Sequence, residues 1–244
     1  VRIRLDSTAV VVRNEGKGVS VGYVQDGKLH RVRGRRAVVA TYAAVMPYIV
    51  PEMPEEHGDI LKTNVKSPLL YTKVLLRSWE SFVKLGVHNI AAPMSMWSTV
   101  KLDYPVSLGA YQFPRDPKGP GAIHMVHVPL EPNQGLDARD QCRVGRQRLL
   151  ETEFKTFEAG IRDQLSRMLG PGGFDAARDI EAITLNRWSH GYSYYWNSLY
   201  DDVDAGEASA EKAKQPIGRI ALANSDTAWD AYAHSAIAEA ARAV

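Results

Sequence analysis

The chain has 244 residues, 45% of them hydrophobic and 24% charged, with 30 basic against 28 acidic side chains. That composition is too apolar for a disordered chain, and a formal charge of +2 is far from the concentrated basic surface of a nucleic-acid binder. The single cysteine, Cys142, excludes an intrachain disulfide and a thiolate metal cluster, and no apolar run is long enough to span a bilayer. The first residues lack the charged-then-apolar layout of a secretory leader, which in a fragment leaves the compartment of the parent protein open.

The opening segment reads as a β-meander. Val1–Leu5, Thr8–Arg13, Val19–Val24, Lys28–Arg33 and Arg35–Ala40 are rich in β-branched residues, and GKG and Gln25-Asp26-Gly27 mark turns between them. The dense basic run Arg33–Arg36 reads as a solvated turn. Beyond Thr41, Pro47, Pro51 and Pro54 bracket a crossover, EEHGDILKTNV predicts a helix, and PLLYTKVLLR predicts a strand. From Asp137 to Leu169 one long helix is predicted, with Leu150, Phe154, Phe157, Ile161, Leu165 and Met168 at steps of three and four. Gly170-Pro171-Gly172-Gly173 ends it, and ARDIEAITLNRW then predicts a strand rising into the aromatic run Trp188–Tyr200. Asp201–Gln215 reads as a surface loop or helix that returns the chain to its first lobe.

The last stretch, Gly218–Val244, runs strand, polar turn, small-residue helix. Asn224, Ser225, Asp226 and Thr227 are all good helix caps, and the alanines that follow let a ligand or another backbone approach closely. An ordinary capped strand-to-helix connection has the same pattern. Strand Arg219–Ala223 is expected within reach of strand Arg35–Ala40 or its neighbours, so that residues 1–48 and 216–244 form one lobe and 49–215 another.

These segments, in this order, resemble the second half of the flavin amine oxidase superfamily. The stretches SPLLYTKVLLRSWESF, NRWSHGYSYYWNSLYDD and IALANSDTAWDAYAHSAIAEA are closest in texture to its bacterial spermidine dehydrogenase branch. The resemblance implies an α+β or α/β chain with a partial FAD-binding lobe and a mixed-sheet substrate domain with helices. It also implies the missing part: the G-x-G-x-x-G turn that holds a dinucleotide pyrophosphate is nowhere in the chain. A missing N-terminal half is therefore an expected partner, and its absence would expose apolar surface and favour homo-oligomers through the open face.

Carried over residue by residue, the resemblance makes Val10, with Ala9 beside it, the backbone that pairs with the adenine. Thr41 ends the strand leading into the substrate domain. Asn224, Ser225 and Asp226 form the turn, with the Asp226 carboxylate on the ribityl or phosphate region. The amides of Ala233 and His234 would meet the flavin pyrimidine edge, although His234-Ser235 departs from the family's Glu-Gly. A lysine that holds a water near the flavin corresponds to Lys73, or, one register step away, to Tyr71. Trp188, Tyr192 and Tyr194 would cage a small-molecule amine, since a cation over an aromatic face is attracted by the ring quadrupole; at strand spacing Trp188, His190, Tyr192 and Tyr194 share one face, and a packed aromatic core fits the same residues. The implied chemistry moves a hydride equivalent from the amine-bearing carbon to FAD, and the resulting imine hydrolyses to an aldehyde and a smaller amine.

The spermidine dehydrogenase branch also implies haem b, for which no axial ligand stands out. His124 and His127, three apart in a predicted strand, point to opposite faces, unlike a metal pair, so no metal site is read. A bacterial origin leaves both periplasm and cytoplasm open. Two other readings remain beside this one: a desaturase-type flavin oxidoreductase with an apolar substrate, and a non-catalytic binding module.

Overall fold

The computed structural model describes residues 3–244. Strands β1 (Ser7–Glu15), β2 (Gly18–Gln25), β3 (Lys28–Gly34) and β4 (Ala37–Val39) come first, followed by helices α1 (Met46–Ile49) and α2 (Glu55–Lys62). Then come β5 (Ser67–Leu76), α3 (Glu80–Leu85), β6 (Asn89–Ala91), β7 (Thr99–Leu102) and β8 (Gly121–His127). Helices α4 (Ala138–Glu151), α5 (Phe154–Leu169) and α6 (Ala176–Asp179) lead to β9 (Ile180–Tyr192). The chain closes with α7 (Val203–Ala213), β10 (Ile220–Leu222), a 3-10 turn at Ser225–Ala228, and α8 (Ala233–Ala243). Mixed helices and sheets are thus the observed class.

Two compact units divide the chain: residues up to Lys66 together with Tyr192–Val244, and Ser67–Gly191. Boundaries expected at 48 and 216 fall inside the first unit. The reason is that α2 packs against α7, with an ion pair from Lys212 to Glu56 at 2.5 Å, so both helices stay with the lobe on either side.

In the first unit, β1, β2 and β3 form an antiparallel meander whose second turn has Asp26 at φ 51° and Gly27 at φ 71°, the paired left-handed residues of a tight hairpin. The expected strand Val1–Leu5 is not found. Val1 and Arg2 lie outside the described residues, while Ile3 and Leu5 are exposed and Asp6 turns the chain at φ 52°. Strand β1 is an edge, and its ladder to β2 slips between Ala9 and Val11, leaving Val10 in a bulge without a partner. Strands β4 and β10 pair in parallel, Ile220 with Ala37 and Leu222 with Val39, although they lie at opposite ends of the chain.

In the second unit a five-stranded sheet runs β6-β7-β8-β5-β9. Leu70, Val74 and Leu76 of β5 and Ile123 and Met125 of β8 face a core that α5 closes with Phe157, Ile161, Leu165 and Leu169. The single helix expected over Asp137–Leu169 is two. Thr152 and Glu153 are extended, and the Thr152 hydroxyl turns back to donate to the Arg148 carbonyl at 2.7 Å. The break explains why Leu150 and Phe154, which the periodicity put on the core stripe, are exposed.

Gly145 in α4 shows how tightly this unit is assembled. A Cβ there would lie 1.8 Å from the Pro129 carbonyl oxygen. Alanine normally stabilises a helix interior by about 1 kcal/mol over glycine; here the sign reverses, because the backbone of the preceding loop must move. Gly145→Ala is expected to destabilise the protein by at least about 1–3 kcal/mol, read as a lowered urea midpoint, whereas any gain in stability would contradict this packing.

Candidate functional site

Chemistry-bearing residues of the first unit gather where the parallel strands end. The Ala223 amide donates to the Val39 carbonyl at 3.0 Å, and Asn224 Nδ2 donates to the Thr41 carbonyl at 3.0 Å, so the two strand ends stay joined past the last ladder bond. Asn224 and Thr227 cap each other across the 3-10 turn. Asp226 is fully buried within it: Oδ2 accepts from the Ala43 amide at 3.1 Å and Oδ1 accepts from Lys66 Nζ at 2.5 Å. Asn64 Nδ2 donates to both the Asp226 carbonyl and Ser193 Oγ at 3.0 Å, and Lys66 Nζ also sits 4.7 Å above the Tyr42 ring.

A second buried ion cluster flanks the same turn. Glu239 of α8 accepts from Lys214 Nζ at 3.0 Å, from Arg242 Nη2 at 2.8 Å and from the Thr227 hydroxyl at 2.7 Å. Burial works to raise the Glu239 carboxyl, and the bonds from Arg242, Thr227 and Lys214 outweigh it, holding the group below its ordinary value of 4.5. Helix α8 is therefore inverted. It buries Ser235 and Glu239 and leaves Ile237 70% exposed.

The expected contact of Asp226 with a cofactor finds no support in this geometry, because the carboxylate is enclosed and both oxygens are engaged internally. It anchors the turn. Half-buried Asn224 and Ser225 stand beside it, with Ser225 Oγ donating to Asn224 Oδ1 at 3.2 Å. Ala233 and His234, both exposed, open the first turn of α8, where backbone amides have no intrahelical acceptor. The His234 ring stacks on Tyr232 with centroids 5.5 Å apart, and its Nε2 lies 3.7 Å from Asp230. Ala9 and Val10 are exposed on β1 at the bulge.

The four-residue aromatic face is broken. Trp188, His190 and Tyr192 alternate outward on β9 and are exposed, but the strand ends at Tyr192. Tyr194 is buried, its hydroxyl donating to Asp201 at 2.8 Å, while the intervening Ser193 bonds Asn64. Those bonds turn the chain out of extended geometry. Tyr194 instead packs edge-on against Trp196, which stacks on buried Trp229 with ring centroids 5.4 Å apart.

In the second unit, Tyr71 and Lys73 alternate with buried Leu70, Thr72 and Val74, and so share the open face of the sheet. The Tyr71 ring meets His124 edge-on at 5.1 Å, and Lys73 is ion-paired with Asp103. Burial raises the Asp103 carboxyl less than Lys73 and the Tyr104 amide lower it, so Asp103 lies below the ordinary carboxylate range. His124 is lowered by burial and by the ammonium groups of Lys73 and Lys101. His127 is on the other face against Trp97. Among the described residues no group of three or more histidine, cysteine or acidic side chains is placed to hold a metal ion, and no helix is long and apolar enough to cross a membrane.

No family model and no curated protein sequence matches the chain. Its fold does match solved structures. Cyclohexylamine oxidase from Brevibacterium oxydans IH-35A aligns over 96% of this chain and 46% of its own, with TM-score 0.64 at 12% identity. Putrescine oxidase bound to putrescine aligns over 97% of this chain and 46% of its own, with TM-score 0.62 at 15% identity. The chain has the fold of part of an amine oxidase. It spans just under half the length of these relatives.

Sequence reasoning missed Asn64, Lys66, Lys214 and Glu239. A signal existed in α8, where Ser235, Glu239 and Arg242 recur at helical spacing among alanines; a polar stripe in an otherwise apolar helix marks a buried network as readily as a solvated face. Removing one partner of a buried ion pair strands the other, so Lys66→Met or Asp226→Leu alone is expected to cost about 3–5 kcal/mol, and the two changes together much less than the sum. Urea unfolding of the three variants checks this, and additive losses would contradict it. For Glu239, whose folded value is depressed, the stabilisation is complete above about 4.5 and is lost as pH falls through the folded value. Glu239→Gln is expected to flatten the acid side of a stability-against-pH curve, measured by thermal melts.

Proposed function

We propose that this chain forms part of a flavin-dependent oxidoreductase acting on an amine. The observation that carries the reading is the fold match to amine oxidases over 96% to 97% of the chain, joined to a sequence that resembles the flavin amine oxidases in the same order. In this reading the first unit is the cofactor lobe and Ser67–Gly191 the substrate domain.

The residues of the first unit fit an FAD. A bulge on an edge strand frees the Val10 backbone from the ladder, as pairing with an adenine edge requires. The first-turn amides at Ala233 and His234 offer donors to the electron-rich edge of a flavin, favoured by the positive end of the helix. Thr41, Asn224 and Ser225 hold the intervening turn, with Asp226 bonded behind them. FAD, when bound, supplies the acceptor for a hydride equivalent from the carbon that bears the amine. This chain supplies position, exclusion of water and the open sheet face carrying Tyr71 and Lys73. Nothing observed supports a haem.

The remaining dinucleotide-binding part comes, in this proposal, from a separate segment. Parallel strands normally lie inside larger sheets covered on both faces, yet among the described residues β4 and β10 form a two-stranded sheet, and Val38 is half exposed. Further parallel strands would complete it, and a second copy of the chain would otherwise cover the same face. A polyamine of spermidine type, met by exposed Trp188 and Tyr192, is the substrate the sequence resemblance favours.

Anaerobic mixing tests the reading. The complete, flavin-loaded protein is expected to lose its oxidised-flavin absorbance on addition of spermidine or cyclohexylamine, and not on addition of an uncharged polyene. Reduction by the polyene alone would move the chain to a desaturase-type activity. If Tyr192 touches the substrate, Tyr192→Ala slows reduction by an amine far more than it lowers the melting temperature.

A further inference from the structure

A cleft of 510 Å³ opens within the second unit among α3, the 3-10 turn Gly170–Gly172, α6 and the β7–β8 connection. Four cations line it, Arg77 at the end of β5, Lys84 on α3, Lys118 in the connection and Arg178 on α6, against two carboxylates, Glu80 and Asp179. The 3-10 turn lies directly on α3: a Cβ on Gly172 would come within 2.6 Å of the Ser81 carbonyl oxygen. The volume suits a small molecule.

Pairing inside the fold decides which charges are left for a ligand. Asp179 is fully engaged, since Arg178 grips its two oxygens at 2.7 and 2.8 Å and the Asp175 amide donates to Oδ2 at 2.8 Å. Arg178 also donates from Nη2 to the Gly173 carbonyl at 2.7 Å, which leaves its Nη1 hydrogens uncommitted. Arg77 is paired with Glu181. Lys84 and Lys118 form no ion pair with any described residue. Glu80 stays at the first turn of α3, its Oε2 3.5 Å from Ser78 Oγ. Two ammonium groups and an open guanidinium edge thus face a single free carboxylate.

Ser81 supplies a second, independent sign. It lines the cleft and is 7% exposed, and its hydroxyl is buried with no hydrogen-bond partner among the described residues. A buried hydroxyl without a partner is costly, and rotation about one bond presents its O–H to the cleft. Cations from separate elements, together with a neutral donor, match a tetrahedral oxyanion, which spreads two charges over several acceptor oxygens. An ammonium ligand or a metal ion would meet uncompensated repulsion.

The geometry points to a binding site for a small soluble phosphate monoester, held by Lys84, Lys118 and the Nη1 edge of Arg178, with the Ser81 hydroxyl donating to one phosphate oxygen. Glu80 opposes this ligand and keeps the affinity modest. A recess walled by several elements admits a small molecule more readily than a headgroup fixed in a bilayer. All the residues belong to Ser67–Gly191, so the site does not depend on the cofactor reading of the first unit.

Inorganic phosphate is the probe, titrated into the 244-residue chain at constant ionic strength, because salt alone screens exposed charges. Backbone amide signals followed by NMR are expected to show saturable shifts at Ser81, Lys84, Lys118 and Gly173, half complete at about 1 mM or below, and none with chloride. Lys84→Gln combined with Lys118→Gln changes two exposed side chains and is expected to leave the melting temperature unchanged while weakening phosphate tenfold or more. Ser81→Ala removes an unpaired buried hydroxyl, so stability is expected to hold or rise while phosphate weakens threefold or more. Glu80→Gln is expected to tighten binding. Shifts that do not saturate, an equal response to chloride, or unchanged affinity in the double lysine or the Ser81 variant would each overturn the proposal. So would sedimentation with phosphatidic acid vesicles by a chain that ignores free phosphate.

Discussion

The burial of Asp226 against Lys66 is the constraint around which the first unit is arranged. Taking a carboxylate and an ammonium out of water costs several kcal/mol each, and the attraction between them offsets this only when hydrogen bonds satisfy the remaining polar atoms. The bonds around the pair come from distant places: the Ala43 amide after β4 donates to the carboxylate, Asn64 after α2 donates to the Asp226 carbonyl, and Ser193 after β9 donates to Asn64. Each partner fixes one connection. A turn of four residues thus becomes the point at which four separated stretches of chain are held together.

The Glu239 cluster makes the arrangement two-sided. With Lys214, Arg242 and Thr227 bonded to one carboxylate, α8 cannot rotate about its axis without stranding a buried charge. An amphipathic helix held by leucines could slide or roll at modest cost; one held by ion pairs has a single acceptable orientation. That orientation presents the small residues and first-turn amides of α8 outward. Trp229, at φ 50°, accepts a left-handed backbone conformation unusual for a bulky residue, and its stacking on Trp196 holds it there.

Much of the architecture was legible because it rests on local chemistry. Asp26-Gly27 specified a hairpin, and the core stripe of α5 followed from spacing. The proximity of Ala37–Val39 to Ile220–Leu222 came from order along the chain rather than from either strand alone; their parallel pairing is seen only in the fold. What was illegible is non-local. The break at Thr152 depends on a side chain bonding back to its own helix, and a stripe of apolar residues reads through such a break without a sign of it. Asp226 looked like a ligand contact because a capping aspartate in a polar turn is the same in sequence whether its partner is a lysine of the fold or a bound molecule. Tyr194 fell off the aromatic face because alternation predicts sidedness only while the strand lasts, and the bonds of Ser193 and Tyr194 end it.

Charge is used in two ways. At Asp226 and Glu239 of the first unit, ionic groups are consumed inside the fold, where they set orientation and are shielded from salt. On the open sheet face of the second they stay partly solvated: the side chains of Lys73 and Asp103 are 36% and 33% exposed. A half-exposed pair is screened and adds little stability. The buried pairs decide which arrangement the chain can adopt, because a misplaced partner there strands a desolvated charge, whereas a misplaced Lys73 or Asp103 is simply hydrated.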